Sequence, residues 1–398
     1  MSRIRAFTLI ELLIVIAIIA ILGSATVVVL NPLELMRQGR DGTRINDTQN
    51  IEKALKLTLF NNPTLLDSLS PTNIYLSLPS GSCPSNPPTG YAYVCNAASA
   101  NLTKIDGTGW IPLSLQNIAS LPTDPNSNPN FYYAFVADPV SKTYVITSLL
   151  ESEKQLKAAA SKDGGTDPGR FEKGSVSLWS GASGLVGYWP MDGIVGSVVN
   201  GQTNGFQDLS GNGRNGTATN ANGTGMNFVV GKISNAVQFD GVDDAITSSY
   251  IPNIGSNRLT ISAWISPNGS GTYEISNQGQ WDGGPWTGWR FQLSSNALNL
   301  KLGDGTSTTY AYSAGNIQSG VWQLVTATWD GSYIRIYQNG TEVGNISKSL
   351  TYSGNTDTYN IGKYAGSAYF FNGYIDDERV YNRALTADEI KAIYNAQK

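Results

Sequence analysis

Between Leu12 and Leu22 the chain reads LLIVIAIIAIL, and no charged residue occurs from Leu12 to Leu30. A run of this kind cannot stay in water; it needs a core, a bilayer or a partner. A helix that crosses ~30 Å of hydrocarbon takes roughly 20 such residues. The short leader Met1 to Ala6 carries Arg3 and Arg5, which predicts a cytoplasmic N-terminus. A cleaved secretory signal is one reading, with Gly23-Ser24-Ala25 as the small residues at a cut site. A plain signal anchor is a second. Neither accounts for Glu11 at the edge of the run. A carboxylate inside a membrane helix costs roughly 2.5–3.5 kcal/mol, so its presence points to a function.

The third reading rests on Ala6-Phe7-Thr8-Leu9-Ile10-Glu11, placed after a basic leader and before the apolar run. This resembles the class III signal of type IV pilins and type II secretion pseudopilins. The resemblance implies cleavage by prepilin peptidase between Ala6 and Phe7, with Ala6 standing where the family uses Gly. It also implies N-methylation of Phe7 and a role in assembly for Glu11. A free amine at Phe7 can pair with Glu11 of a neighbouring subunit. Pairing lowers the cost of holding either charge in an apolar filament core, and so sets register rather than adding net stability.

Ile51, Leu55 and Leu59 repeat at helical spacing, which carries the helix to about Asn61. Gly23 and Pro32 interrupt it, because an interior proline removes a hydrogen bond; Gly39 and Gly42 weaken it further. The rod either bends there or melts and stretches in a filament. Asn61-Asn62-Pro63 ends it. Residues 63–150 are rich in Pro, Asn and Ser, with strands predicted at Ile74–Leu76, Phe131–Ala137 and Thr143–Leu149. A long helix on a small antiparallel sheet is the α+β solution to this pattern, and it is also the pilin fold. Cys83 and Cys95 lie in a compartment that permits a disulfide, worth about 2–3 kcal/mol for a loop of this size; two free buried thiols are the other reading. Leu121-Pro122-Thr123-Asp124-Pro125 resembles a loop of major pseudopilins that can hold calcium. Asp124, Asn126, Asn128 and Asp138 supply the hard oxygens calcium requires, or else they simply make Asx turns.

Residues 151–184 read as a linker, with helix formers giving way to Lys162-Asp163-Gly164-Gly165-Thr166-Asp167-Pro168-Gly169. From 185 to 398 many short β-rich runs are parted by Gly, Asn and Asp turns, among them Asp330-Gly331 and Asn339-Gly340. These are hairpin signals, and so many strands without intervening helices predict a sandwich or jelly roll. Leu185-Val186-Gly187-Tyr188-Trp189-Pro190-Met191-Asp192, Phe239-Asp240-Gly241-Val242-Asp243-Asp244 and Gly373-Tyr374-Ile375-Asp376-Asp377-Glu378 recur in order. They are similar to concanavalin A-like, laminin-G-type domains of bacterial surfaces. That resemblance implies binding, often of carbohydrate, and a structural calcium ion.

Asp208, Ser210 and Asn212 offer oxygens at alternate positions, followed by Gly213. This resembles the start of an EF-hand loop without its twelfth-position acid. Asp192 and Asp376 or Asp377 are the expected sources of the missing charge; a solvated Asx turn is the alternative. Gly211-Asn212-Gly213-Arg214-Asn215-Gly216 spells a dinucleotide fingerprint, but no apolar strand precedes it and no helix follows. Trp281 and Trp286 sit in a Gly/Pro loop and are expected either to stack on a sugar or to anchor the loop. Trp189, Trp264, Trp289, Trp322 and Trp329 are expected in the core.

The chain of 398 residues has no histidine. That excludes Ser-His-Asp and Cys-His catalysis and the HExxH zinc site. A net charge of −4 gives no basic footprint for nucleic acid. Glycosidases need only two carboxylates, but no such pair stands out, and no enzyme is expected. The expected organisation is a leader (1–6), an assembly helix (7–62), a pilin-like body (63–150), a linker (151–184) and a laminin-G-like sandwich (185–398). Before assembly such a subunit sits in the cytoplasmic membrane through residues 7–30. It then joins other pilin subunits, by way of an inner-membrane assembly platform, in a surface filament. The sandwich would bind surface glycans or proteins; its bulk favours a minor subunit. The alternatives are a secretion or competence pseudopilin whose sandwich binds a protein partner, and a filament-displayed carbohydrate-active enzyme.

Overall fold

The computed structural model describes residues 9–398 except 89, 96, 161, 162, 164, 166, 175–182, 221, 224, 250, 252–257, 280–284, 307–308, 350–355 and 365–368, with backbone alone at 20–30 and 309–311. The expected processing residues Ala6 and Phe7 lie outside the described residues. Glu11 sits in the first turn of helix α1 (Leu9–Leu30). Among the described residues, no helix is long and apolar enough to cross a membrane.

The expected single bent rod is two helices. Asn31 adopts φ 40°, and its side chain accepts a bond from the Glu34 N–H to cap α2 (Pro32–Asn61). Pro32 thus occupies the first position of a new helix, where its missing N–H costs nothing. Ile51 and Leu55 are fully buried. They pack on one face of a five-stranded sheet with the order β2 (Ala92–Val94), β1 (Asn73–Leu76), β3 (Tyr133–Asp138), β4 (Thr143–Leu149), β5 (Arg170–Gly174). Strand alternation sends Tyr133, Phe135 and Ile146 toward the helix and Ala134, Val136 and Val145 to the other face. There they meet Ile74, Leu76 and the half-buried Cys83 and Cys95, which form a disulfide.

The segment expected as a linker is largely structured where described. It contributes the short helix α3 (Glu153–Ala158) and β5, which pairs with β4 through Ile146↔Lys173 and Thr147↔Glu172. Its glycines suggested flexibility, but Phe171 and Leu156 bury their side chains and hold it down.

The C-terminal body is a two-sheet sandwich. One sheet holds β6 (Leu185–Trp189), β7 (Gly196–Ser197), β9 (Asn227–Val230), β10 (Asn235–Asp240), β12 (Leu259–Pro267), β17 (Gln323–Trp329), β18 (Tyr333–Gln338), β19 (Thr341–Ser347) and β21 (Asn372–Tyr381). The other holds β8 (Thr217–Thr219), β11 (Ala245–Ser248), β13 (Thr272–Gln278), β14 (Trp289–Ser294), β15 (Ala297–Gly303), β16 (Thr309–Ala314) and β20 (Tyr359–Ile361). Trp189 stacks on Tyr359 at 4.8 Å between them. Asn339 and Gly340, at φ 52° and 71°, make the hairpin their sequence predicts.

A final helix, α4 (Ala387–Gln397), folds back onto the first body, where Ala392 and Ala396 pack with Leu149, Leu156 and Phe171. Its capping box joins Thr386 and Glu389. The same Glu389 carboxylate takes two bonds from Arg383, at 2.8 and 2.9 Å, and one from Arg170 of β5 at 3.2 Å. One buried acid therefore caps the helix and ties the two bodies together.

Candidate functional site

β14 sends Trp289, Phe291 and Leu293 into the sandwich core and, by strand alternation, Arg290 and Gln292 to the opposite face. A bulge between Glu274 and Ser276 brings Glu274 onto the same face as Asn277. Register then aligns the outward side chains into two rows. One runs Thr247, Asn360, Asn277, Arg290, Lys301 across β11, β20, β13, β14 and β15. The other runs Glu274, Gln292, Asn299, Ser313 across β13 to β16.

Arg290 holds Glu274 with Nη2 to Oε2 at 2.7 Å and Nε to Oε1 at 3.2 Å. Burial pushes the Glu274 carboxyl up to about 7, and the hydrogen bonds from Arg290 oppose that shift. The guanidinium lies over Tyr364 at 4.0 Å and Tyr369 at 5.5 Å. Tyr364 is buried, whereas Tyr369 is 48% exposed. Tyr369 also adopts φ 62°, a conformation costing of order 1–3 kcal/mol for such a residue. Its carbonyl accepts from the Glu274 N–H at 2.8 Å, which fixes the ring beside the ion pair.

Among the described residues, three acceptors on this face have no partner: Asn277 Oδ1, Gln292 Oε1 and Asn299 Oδ1. All three residues are buried. Leaving such an atom unbonded costs about 1–3 kcal/mol. A ligand with several hydroxyl donors would satisfy them, while the flat Tyr369 ring would suit the C–H face of a sugar ring.

The expected tryptophan platform is only partly visible. Trp281 lies outside the described residues. Trp286 is half-buried, its backbone N–H donating to the Thr306 carbonyl at 2.7 Å. Trp189, Trp264, Trp289 and Trp329 are buried as expected, and Trp322 is partly buried beside the cluster that holds Trp264. The polar rows were missed because each residue is one outward position of an ordinary alternating strand. The β13–β16 register aligns most of them, and the pairing of β20 with β13 and β11 adds Asn360 and Thr247.

The residues expected to bind calcium do not form one ligand set. Asp208 uses Oδ1 on the N–H groups of Tyr188 and Ser210 and Oδ2 on that of Arg214; Asn212 bonds Ser210. This is the Asx-turn reading. Asp192 accepts from the Asn235 N–H. Asp376 accepts from the N–H groups of Lys232 and Ile233 at 2.9 and 2.8 Å. Burial pushes Asp376 up to about 9, with the charges of Asp377 and Asp192 adding to the shift. Asp377 pairs with Arg379.

A different cluster forms where β10 of one sheet passes to β11 of the other. Oxygens of Asp240, Asp243 and Asp244 lie within 4.8 Å of one another. Asp243 Oδ1 and Asp244 Oδ1 are buried without partners among the described residues. Burial pushes Asp244 up to about 7, and the charges of Asp240 and Asp243 push it the same way. Three clustered carboxylates, two of them with an unpaired oxygen, suit a hard cation. The strand motif Phe239–Asp244 carried this signal, but an Asp pair after a turn reads equally as turn chemistry.

The second expected calcium loop is also not assembled. Asp124 is gripped by Arg44 through both oxygens. Asn126 donates to Glu151 and Asn128 Oδ1 accepts from Asn130 and Phe131. Asp138 caps its own turn at Val140 and Ser141.

Residues 240–391 match the family model described as the concanavalin A-like lectin/glucanases superfamily, and residues 1–27 match the prokaryotic N-terminal methylation motif. No curated protein matches the chain. Among solved structures it is similar to domain 4 of an arabinanase from Geobacillus stearothermophilus, solved with arabinotriose, at 19% identity and TM-score 0.38, covering 52% of this chain and 97% of that one. It is also similar to the binding domain of Paraclostridial Mosquitocidal Protein 1, at 19% identity and TM-score 0.40, covering 53% and 52% of the two chains. A structure of botulinum neurotoxin type C, whose cell entry depends on two ganglioside molecules, matches at 17% identity and TM-score 0.40, covering 51% of each. The chain spans about half the length of these last two. It joins a prepilin-type N-terminal methylation motif to a concanavalin A-like domain.

Proposed function

We propose that this chain is a pilin-like filament subunit that displays a lectin-like head, and that the outward face of the β13–β14–β15 region binds saccharide. The three unpaired buried acceptors Asn277 Oδ1, Gln292 Oε1 and Asn299 Oδ1, set beside the Arg290–Glu274 pair and Tyr369, carry this reading. Hydroxyl groups satisfy the acceptors, the ion pair orients ring oxygens, and the exposed ring supplies an apolar contact. The reading is binding without turnover: Glu274 is committed to Arg290 and, among the described residues, is not paired with a second carboxylate across the face. A calcium ion at Asp240, Asp243 and Asp244 would brace the corner between the two sheets. Prepilin peptidase, the membrane and other pilin subunits are the partners of the N-terminal segment in this reading.

The test is to shear filaments from cells that carry the full chain with its assembly system and to probe them on a glycan array. The chain should be found in the filament fraction, which should bind saccharides. Its absence from filaments, or filaments that contain it and bind no saccharide, would overturn the corresponding half of the proposal.

A further inference from the structure

We propose that the groove between α2, α3 and α4 is a docking site for anionic phospholipid headgroups, an inference that rests on α1 being membrane-inserted. The groove has a volume of about 490 Å³ and is lined by Arg37, Lys154, Lys157, Lys391 and Lys398. Against these five basic side chains stand two acids, Glu34 and Glu153, in a chain whose net charge is −4. Glu153 is already shared between Lys157 and Lys398, and Glu34 faces Arg37 at 3.7 Å. Among the described residues Lys154 and Lys391 make no ion pair. Burial lowers the Lys391 ammonium below the usual lysine range, and the charges of Lys398 and Arg37 act in the same direction. Positive charge from three helices therefore converges in excess of the two acids that face it.

Position identifies the partner. The groove wall begins at Asn31, one residue past the end of the apolar helix. Arg37 lies only five residues into α2, about 8 Å from Pro32 along that helix at 1.5 Å per residue, a distance comparable with the headgroup layer that borders the hydrocarbon. Leu33 and Met36 on the first turns of α2 are 68% and 61% exposed. Apolar side chains next to a basic cluster are the pattern of a segment lying in a membrane interface, and a cluster of Lys and Arg beside a membrane helix draws anionic lipid. The groove would seat the junction of the two bodies on the bilayer before the subunit enters a filament, fixing the sandwich relative to the membrane.

The experiment incorporates the full chain into nanodiscs of pure phosphatidylcholine and of phosphatidylcholine with 30% phosphatidylglycerol, and follows amide hydrogen exchange in α3 and α4. Phosphatidylglycerol should slow exchange there at least about threefold. The double variant Lys154→Glu/Lys391→Glu should abolish that difference while entering discs normally. Equal exchange in both compositions, or protection unchanged in the variant, would overturn the proposal. So would equal protection by inorganic phosphate in phosphatidylcholine discs, which would assign the groove to a soluble anion. Failure of the wild-type chain to co-elute with discs of either composition would instead overturn the insertion of α1, a result separable from the others.

Discussion

Arg44 and Asp124 meet in a fully buried two-point ion pair, with Nε to Oδ2 at 2.7 Å and Nη2 to Oδ1 at 2.8 Å. The remaining nitrogen reaches Asp41 at 2.8 Å and Glu151 at 2.5 Å. A guanidinium thus sits where the carboxylates would otherwise call for a metal cation. The ring of Phe131 covers it at 4.9 Å.

Removing that cation strands buried carboxylates. Arg44→Met should destabilise the pilin-like body by about 3–5 kcal/mol, seen as a lowered unfolding midpoint in urea. A chelator should leave the midpoint of this body in the wild type unchanged. A calcium-dependent midpoint here would show that Asp124 does serve an ion.

The aspartate corner behaves differently. Asp244 is pushed up to about 7, so the folded apo-protein holds a proton there that a calcium ion must displace. Calcium affinity should therefore rise from pH 5.5 to pH 8, read as a larger calcium-induced rise in melting temperature. Asp244→Asn should remove the calcium response at both pH values.

Glu378 lies inside the sandwich, accepting bonds from the hydroxyls of Ser276 at 2.6 Å and Tyr359 at 2.5 Å. Burial pushes it up to about 8, well above an unfolded glutamate. The unfolded chain releases this proton near pH 4.5 and the folded chain only near 8. The contribution of Glu378 to stability is thus full below about 4.5 and declines as pH rises through 8. Without calcium, the sandwich should melt at higher temperature at pH 5.5 than at pH 8.5. Glu378→Gln should flatten that slope, and an unchanged slope would place the titrating group elsewhere.

Gly39 and Gly42 lie inside α2, and an added Cβ at either would meet nothing within 4 Å. Close packing does not explain them, so the helix-weakening reading stands as the testable one. Gly39→Ala and Gly42→Ala should each stabilise α2 by about 0.5–1 kcal/mol, measured by hydrogen exchange. Filaments built from the double variant should extend less under force.

Features held by local chemistry were legible in the sequence. The β4 hairpin strand Thr143–Leu149 has its predicted bounds, the Asn339-Gly340 turn forms, and the buried tryptophans follow strand alternation. The capping box at Thr386 and Glu389 is readable in the sequence too, but the run of short strands before it predicts no helix, and α4 is not among the expected elements. Features made by long-range pairing were hidden. β5 docks because Phe171 and Arg170 find partners far along the chain, not because its own residues favour a strand. Likewise Asn360 and Arg290 become neighbours of Asn277 only through the β20–β13–β14 register.

The most direct measurement is binding of the full chain, in detergent micelles, to a glycan array, comparing wild type with Gln292→Ala/Lys301→Ala. Neither substitution breaks the Arg290–Glu274 pair, and matched melting curves would verify the fold. Saccharide binding by the wild type that falls at least about tenfold in the variant, a loss of ~1.4 kcal/mol, is the predicted result. Equal binding by both chains, or none by the wild type, would contradict the assignment of this face as the ligand site.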